Sequence, residues 1–343
     1  MWGNKVSLVE DLTKRGETAY ARLHDWYPNN YSSNWMYLAV QSPHTLDQLQ
    51  EWVEEIFTAI PNRGLDKPAG EPHYAAGSAY TGQNVSRVCR YIPIKDKHTV
   101  DFVWSLPAQS KHYKIKPLHY LGWLVGHEGK GSILSYFKKR DWAHEMYAGN
   151  GGGGAEDNGF HSEFSIQLRV TDNGLAHWED MAAVIFQYLK LLRQLPKTEQ
   201  RRIFDEIQKI ETINWSTKED HKSLTNAVDA AENMREYPSS DWLTGDQLLT
   251  EYSDEVITAA LHELGPENCF VFLSSKSFDE KELEHTEQWM GGKYSIVDID
   301  KSLVRKWMDV ELLPDLHVPA SNKYLAESLE VKSDEKSLGM FSV

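Results

Sequence analysis

The 14 histidines and the 51 aspartates and glutamates of this 343-residue chain are the raw material for acid–base or metal chemistry. Their spacing removes the commonest metal helix. A zinc-hydrolase motif of the H-x-x-E-H or H-E-x-x-H kind needs two histidines one helical turn apart, so that both imidazoles reach one ion from one face. No two histidines here are four residues apart. His119 and His127 share a helical stretch, but unbroken helix would separate their backbones by about 12 Å, too far for a shared ion. His144-Glu145 and His262-Glu263 are adjacent pairs expected at helix ends, where neighbours face different ways. GHEGKGS at 126–132 invites a phosphate-loop reading, yet Leu124 stands where that loop needs glycine and Gly131 where it needs Ser or Thr. No serine stands in G-x-S-x-G.

One group survives this sieve, Glu128. The stretch 117–150 reads as a helix opened by Pro117 and broken at Gly126, Gly129 or Gly131, delivering a lone glutamate beside a short strand. A carboxylate so placed can hold a cation such as a peptide amino terminus through a charge-assisted hydrogen bond. The bland alternative is a solvated loop glutamate between two helices.

The elements that must position it follow from periodicity. Residues 34–41 are short, apolar and aromatic like a strand, and Thr45 caps a helix with Leu46, Leu49, Trp52, Val53, Ile56 and Phe57 at helical spacing. That pair predicts a β-α unit. Glycines and prolines from Gly64 to Gly82 then crowd one polar stretch, predicting a boundary near residue 73. Val88 to Ile94 and Thr99 to Leu106 are expected to form a hairpin around KDKH. Strict alternation from Phe160 to Val170 predicts a one-sided antiparallel strand. Helices are expected over 175–195, after Thr198, weakly over 221–236, and after Ser253, with a strand from Cys269 to Leu273. Mixed helices and strands with antiparallel pairs predict an α+β fold.

Composition bounds the partners. A hydrophobic share of 41% and a charged share of 25% are ordinary for globular chains. A net charge of −15 repels phosphate backbones and anionic lipid, so neither nucleic acid nor membrane is an expected partner. Cys89 and Cys269 are expected to be free and buried, and with no leader-like apolar segment the chain reads as cytoplasmic. The 12 tryptophans read mainly as interior aromatics.

Several segments together carry a resemblance. HYLGWLVGHEGKGSILSYFKKRDWAHEMYAG, YSSNWMYLAV, RYIPIKD, HWEDMAAVIFQYLKLLR, the stretch LTGDQLLTEY to SSKSF and VPASNKYLAESLEV resemble the insulysin–nardilysin branch of the inverzincin (pitrilysin) metallopeptidases, in that family's order. The resemblance implies repeated α+β domains, each a mostly antiparallel sheet covered by helices on one face. It implies a truncated first domain over 1–72, a complete zinc-less second domain over 73–318 and a linker over 319–343. The family's zinc ligands and catalytic glutamate would lie upstream, leaving no catalytic residue, metal site or cofactor in this chain. What maps onto residues present is an exosite for peptide amino termini: His119, Gly122, Trp123, Gly126 and Glu128 on the broken helix, and Met146, Ala148 and Gly149 on the strand. Trp123 stands where the family has histidine, and Ala148 where it has glycine. Expected partners are peptides, and a full-length relative or a second copy of the chain.

Overall fold

The computed structural model describes residues 3–66, 85–151, 156–159, 161–219 and 222–329. Its centre is a seven-stranded sheet built from β1 (Arg87–Tyr91), β2 (His98–Pro107), β3 (Ala143–Asn150), β4 (His161–Val170), β5 (Phe270–Ser274), β6 (His285–Thr286) and β7 (Lys293–Asp298). The strand order is β3-β4-β2-β5-β1-β7-β6, and every pair is antiparallel except β1 with β5. This is the expected α+β class.

The helices before the sheet are α1 (Asp11–Lys14), α2 (Ala19–Asn30) and α3 (Leu46–Phe57). Those within and after it are α4 (Pro117–Val125), α5 (Ile133–Lys138), α6 (Asp172–Ala176), α7 (Trp178–Arg193), α8 (Lys197–Ser216), α9 (Ser223–Glu236), α10 (Asp254–Glu263) and α11 (Lys301–Met308). Period-2 alternation decides the sheet's two faces. Val100, Phe102, Trp104 and Leu106 of β2 and Phe164, Ile166, Leu168 and Val170 of β4 join one core with Leu121, Leu124, Ile185, Leu189, Ile203 and Phe204 of the helices. Asp101, Glu163 and Gln167 lie on the other face. The core is sealed by polar ties as well as area. Buried Trp104 donates its indole N–H to the Gly265 carbonyl at 2.9 Å, and its ring meets Phe186 edge-on. Trp104→Phe keeps most of the apolar volume and strands that carbonyl, so a loss of about 1–2 kcal/mol is expected in urea unfolding. An unchanged midpoint would show that the bond adds nothing.

Several local signals hold. Thr45 and Ser253 accept hydrogen bonds from Gln48 and Val256 as N-caps of α3 and α10, and Pro117 opens α4. Cys89 and Cys269 are free and buried.

Others are corrected. Residues 34–41 form no strand: after a short turn at Ser33–Trp35 they run irregularly, with Met36, Tyr37, Leu38 and Val40 exposed. Apolar composition is not sufficient, because a strand needs a neighbour to take its backbone groups. β1 and β2 are not a hairpin, since β5 lies between them and pairs with both. The helix expected over 175–195 is two, α6 and α7, divided at His177. His144 and Glu145 sit on β3 and not at a helix end. Phe160 and most of the Gly64–Gly82 stretch, with the boundary near 73, lie outside the described residues. Residues 319–322 are tied to α8: Arg202 donates to the Pro319 carbonyl at 2.9 Å, while Glu206 accepts from Ser321 and the Asn322 amide.

Candidate peptide-binding edge

The sequence around α4 builds the site from two constraints. Lys116 precedes the helix in the left-handed region at φ 48°, and its ammonium donates to the Gly245 carbonyl at 2.6 Å, fixing the angle at which the chain enters α4. Burial draws the Lys116 amine down to about 8. The helix is then apolar nearly all round, with His119 and Trp123 its partly exposed positions. It lies directly on β3. A Cβ at Gly122 would stand 3.0 Å from the Gly149 Cα and 3.1 Å from the Ala148 carbonyl oxygen, and one at Gly126 would stand 3.6 Å from the Ala148 Cβ. The bare Gly122 therefore lets helix and strand backbones touch, whereas at Gly126 the tight contact, 2.8 Å, is with the Gly122 carbonyl of its own turn.

Gly126 closes α4, its amide reaching the Gly122 carbonyl at 2.8 Å. The loop that follows is held from both sides. The His127 ring covers Gly129, and the His317 ring packs on Gly131, whose φ of +87° suits glycine. His317 also donates its amide to the Gly131 carbonyl at 3.1 Å. Burial, then the neighbouring His317, lowers the His127 imidazole below its ordinary range. Ser132 caps α5, accepting from the Ser135 amide at 3.0 Å.

β3 is the end strand of the sheet. It pairs with β4 from Ala143↔Val170 to Asn150↔Phe164, with an irregularity between Ala143 and Glu145. No strand lies on its other side among the described residues. Met146 is buried and Ala148 packs on the core, so these two residues face inward and offer a ligand their backbone alone. Gly149 holds φ +153° with nothing within 4 Å of where a Cβ would be, leaving the strand's end open.

The structure thus brings Gly122, Gly126, Ala148 and Gly149 into one seam, and places the remaining predicted residues around it with partners of their own. His119 Nε2 lies 3.1 Å from Glu211 Oε1 on α8. Trp123 stacks on His127, centroids 6.0 Å apart. Glu128 departs from the partly desolvated setting that capture by one carboxylate suggests: its side chain is 66% exposed and lies 3.6 Å from Lys138 Nζ. Sequence reasoning missed Lys138, Glu211 and His317. For Lys138 a signal existed, the cationic run 138–140 just beyond the loop. Among the described residues no three His, Cys, Asp or Glu side chains form a group able to hold a metal. His119 Nε2 is paired with Glu211 and no further ligand group joins it to His127 among the described residues, so these two residues do not make a zinc site.

A mostly antiparallel sheet covered by helices on one face, with a helix packed on its edge strand, defines an α+β sheet-and-helix domain. Residues 19–209 match the family model described as the peptidase M16 inactive domain, and residues 215–339 that of the middle or third domain of peptidase M16. The chain belongs to the peptidase M16 family. It is 43% identical over 333 residues to nardilysin of Mus musculus, covering 97% of this chain and 28% of that protein. It is 30% identical over 334 residues to insulin-degrading enzyme of Bos taurus, covering 97% of this chain and 32% of the other. In fold it resembles the crystal structure of pitrilysin, with a TM-score of 0.77 at 19% identity over 92% of this chain and 32% of that one. The chain spans about a third or less of the length of these relatives. The two family models meet inside α8, yet both supply strands to the same sheet.

Proposed function

We propose that this chain captures peptides by their amino termini and does not itself cleave them. The observation that carries the reading is the edge of β3, unpaired among the described residues, beside a helix whose Gly122 meets it and whose following loop presents Glu128. An extended peptide laid along β3 adds a strand and satisfies the free row of backbone groups, while Glu128 takes the terminal ammonium. The proposed site is His119, Gly122, Trp123, Gly126 and Glu128 with Met146, Ala148 and Gly149. Zinc chemistry belongs, on this reading, to longer family members, and affinity here is expected to be weak because one edge and one exposed carboxylate must offset the ordering of the peptide.

Glu128→Gln is expected to abolish the preference for a free amino terminus over an acetylated one, about tenfold at low salt, measured by calorimetric titration with the two forms of one peptide. Equal binding of both forms by the unaltered chain, with no change in the variant, sinks the capture reading. Zinc-restorable hydrolysis of a quenched fluorogenic peptide sinks the non-catalytic part.

The proposed division is 1–72, 73–318 and 319–343, and the single sheet from Arg87 to Asp298 supports treating the middle range as one unit. A second reading, a regulatory or component role docked on a full-length zinc metalloendopeptidase relative, is favoured by the N-terminal helices. Leu23, Trp26, Leu46 and Ile56 of α2 and α3 are 50–83% exposed, a surface suited to association. Two free, buried cysteines fit a reducing compartment, and we assign the cytoplasm.

A further inference from the structure

We infer that Lys138 is a built-in stand-in for the peptide ammonium, occupying the Glu128 carboxylate in the free chain and setting how strongly a peptide must compete for it. This rests on the capture reading above and adds to it a regulating residue.

Three observations carry the inference. Glu128 projects from a loop whose backbone is pinned, by the His127 ring over Gly129, the His317 ring over Gly131 and the amide bond from His317 to Gly131. The carboxylate therefore has a fixed base and a free head. Among the described residues that head meets one cation, Lys138 Nζ at 3.6 Å. The neighbouring sequence is also cationic, with Lys130 on the same loop and Lys139 and Arg140 following Lys138, Arg140 being held over the Tyr136 ring at 3.5 Å. An arriving ammonium must therefore replace a like charge already paired with the carboxylate.

The pair is built to be displaced. Both side chains are largely in water, at 49% and 66% exposure, where such ion pairs are weak. Lys138 ends α5, and once released it stays at the helix C-terminus, where a cation is favoured. Displacement strands no charge. The barrier to binding is thus small, adjustable by salt, and specific to ligands that bring an ammonium. An acetylated peptide has nothing to exchange for Lys138.

The test is a four-protein cycle on the full chain: unaltered, Lys138→Met, Glu128→Gln and the double variant. Each is titrated with one octapeptide in free-amine and acetylated forms at low and high salt, with thermal melts to verify folding. The expected result is about three- to fivefold tighter binding of the free-amine form by Lys138→Met, no change for the acetylated form, and loss of the gain in the Glu128→Gln background. Lys138→Gln is expected to reproduce it. If Glu128→Gln removes the free-amine preference but Lys138→Met leaves it unchanged or lowers it, the inference is overturned while capture by Glu128 stands. If neither Glu128→Gln nor Lys138→Met alters the ratio of the two peptides, both fall.

Discussion

Gly122→Val is expected to destabilise the chain by about 2–3 kcal/mol and to remove peptide capture with it. The helix alone predicts the opposite sign, because valine in a helix interior is a few tenths of a kcal/mol better than glycine. The seam decides otherwise. A Cβ at 122 meets the Gly149 Cα at 3.0 Å and the Ala148 carbonyl oxygen at 3.1 Å, both backbone atoms of β3 that cannot rotate away. The two γ-methyl groups of valine add to that overlap, so α4 must lift from the strand. Lifting it exposes part of a core that includes Leu121, Leu124 and Phe164, and moves the Glu128 loop relative to the free edge. Gly122→Ala is expected to cost about 1 kcal/mol, the propensity gain offsetting part of a smaller overlap. Gly292→Ala is the control: nothing lies within 4 Å and its φ is ordinary, so a change within about 0.5 kcal/mol is expected. Urea midpoints with unchanged slopes, read beside the free-amine binding ratio, decide the matter. A fully stable Gly122→Val would mean that helix and strand have room to separate.

This seam marks how far the sequence could be read. Signals completed within one turn of chain were legible: Thr45 and Ser253 as caps, Pro117 as a helix start, and the alternation of 161–170 as a one-sided strand. Signals that depend on a distant partner were not. Residues 34–41 have strand composition but no neighbour, while β1 and β2 look like hairpin partners until β5, encoded far downstream, takes the place between them. β7 and α11 escaped notice because each is short and half exposed, and the anchor of α11, Trp307, is buried through a bond to the Glu179 carbonyl on α7. At the site the break after Gly126 was visible as helix punctuation. The contact between Gly122 and β3 was not, since a strand-facing glycine and a merely tolerated one are written alike. The cationic run at 138–140 was visible, but not which of its members pairs with Glu128, because that pair joins a loop to the end of the next helix.

Asp101→Asn is expected to stabilise the chain at neutral pH, by about 1–3 kcal/mol, and to do nothing at pH 3.5. Asp101 sits on β2, on the sheet face away from the helices, opposite Gln167 of β4 and Phe272 of β5. Burial lifts its carboxyl from the ordinary 3.8 to about 6, against the opposing pull of Lys97 and of hydrogen bonds from the Leu168 amide and Thr99. Between those two values the folded chain holds a proton that the unfolded chain has released. Stability therefore falls as pH rises through this window, and the loss is complete above about pH 6. Asparagine keeps an acceptor for Leu168 and Thr99 and never ionises, so the difference between variant and parent grows from nothing to its full size across the same interval. Glu163, on the same face, is also raised, by burial and then by Glu156, but it titrates in both proteins and cancels from the difference. A gain independent of pH would assign the effect to packing instead of ionisation, and no gain would mean that the buried carboxylate is solvated better than its surroundings imply. The peptide titrations add a separate reading. Asp101 is two strands from the free edge, in the order β3-β4-β2, so capture by Glu128 should be unmoved by Asp101→Asn. If binding falls while stability rises, a carboxylate retained at a cost to folding is serving the ligand, and the capture surface extends from the edge of β3 across the open face of the sheet.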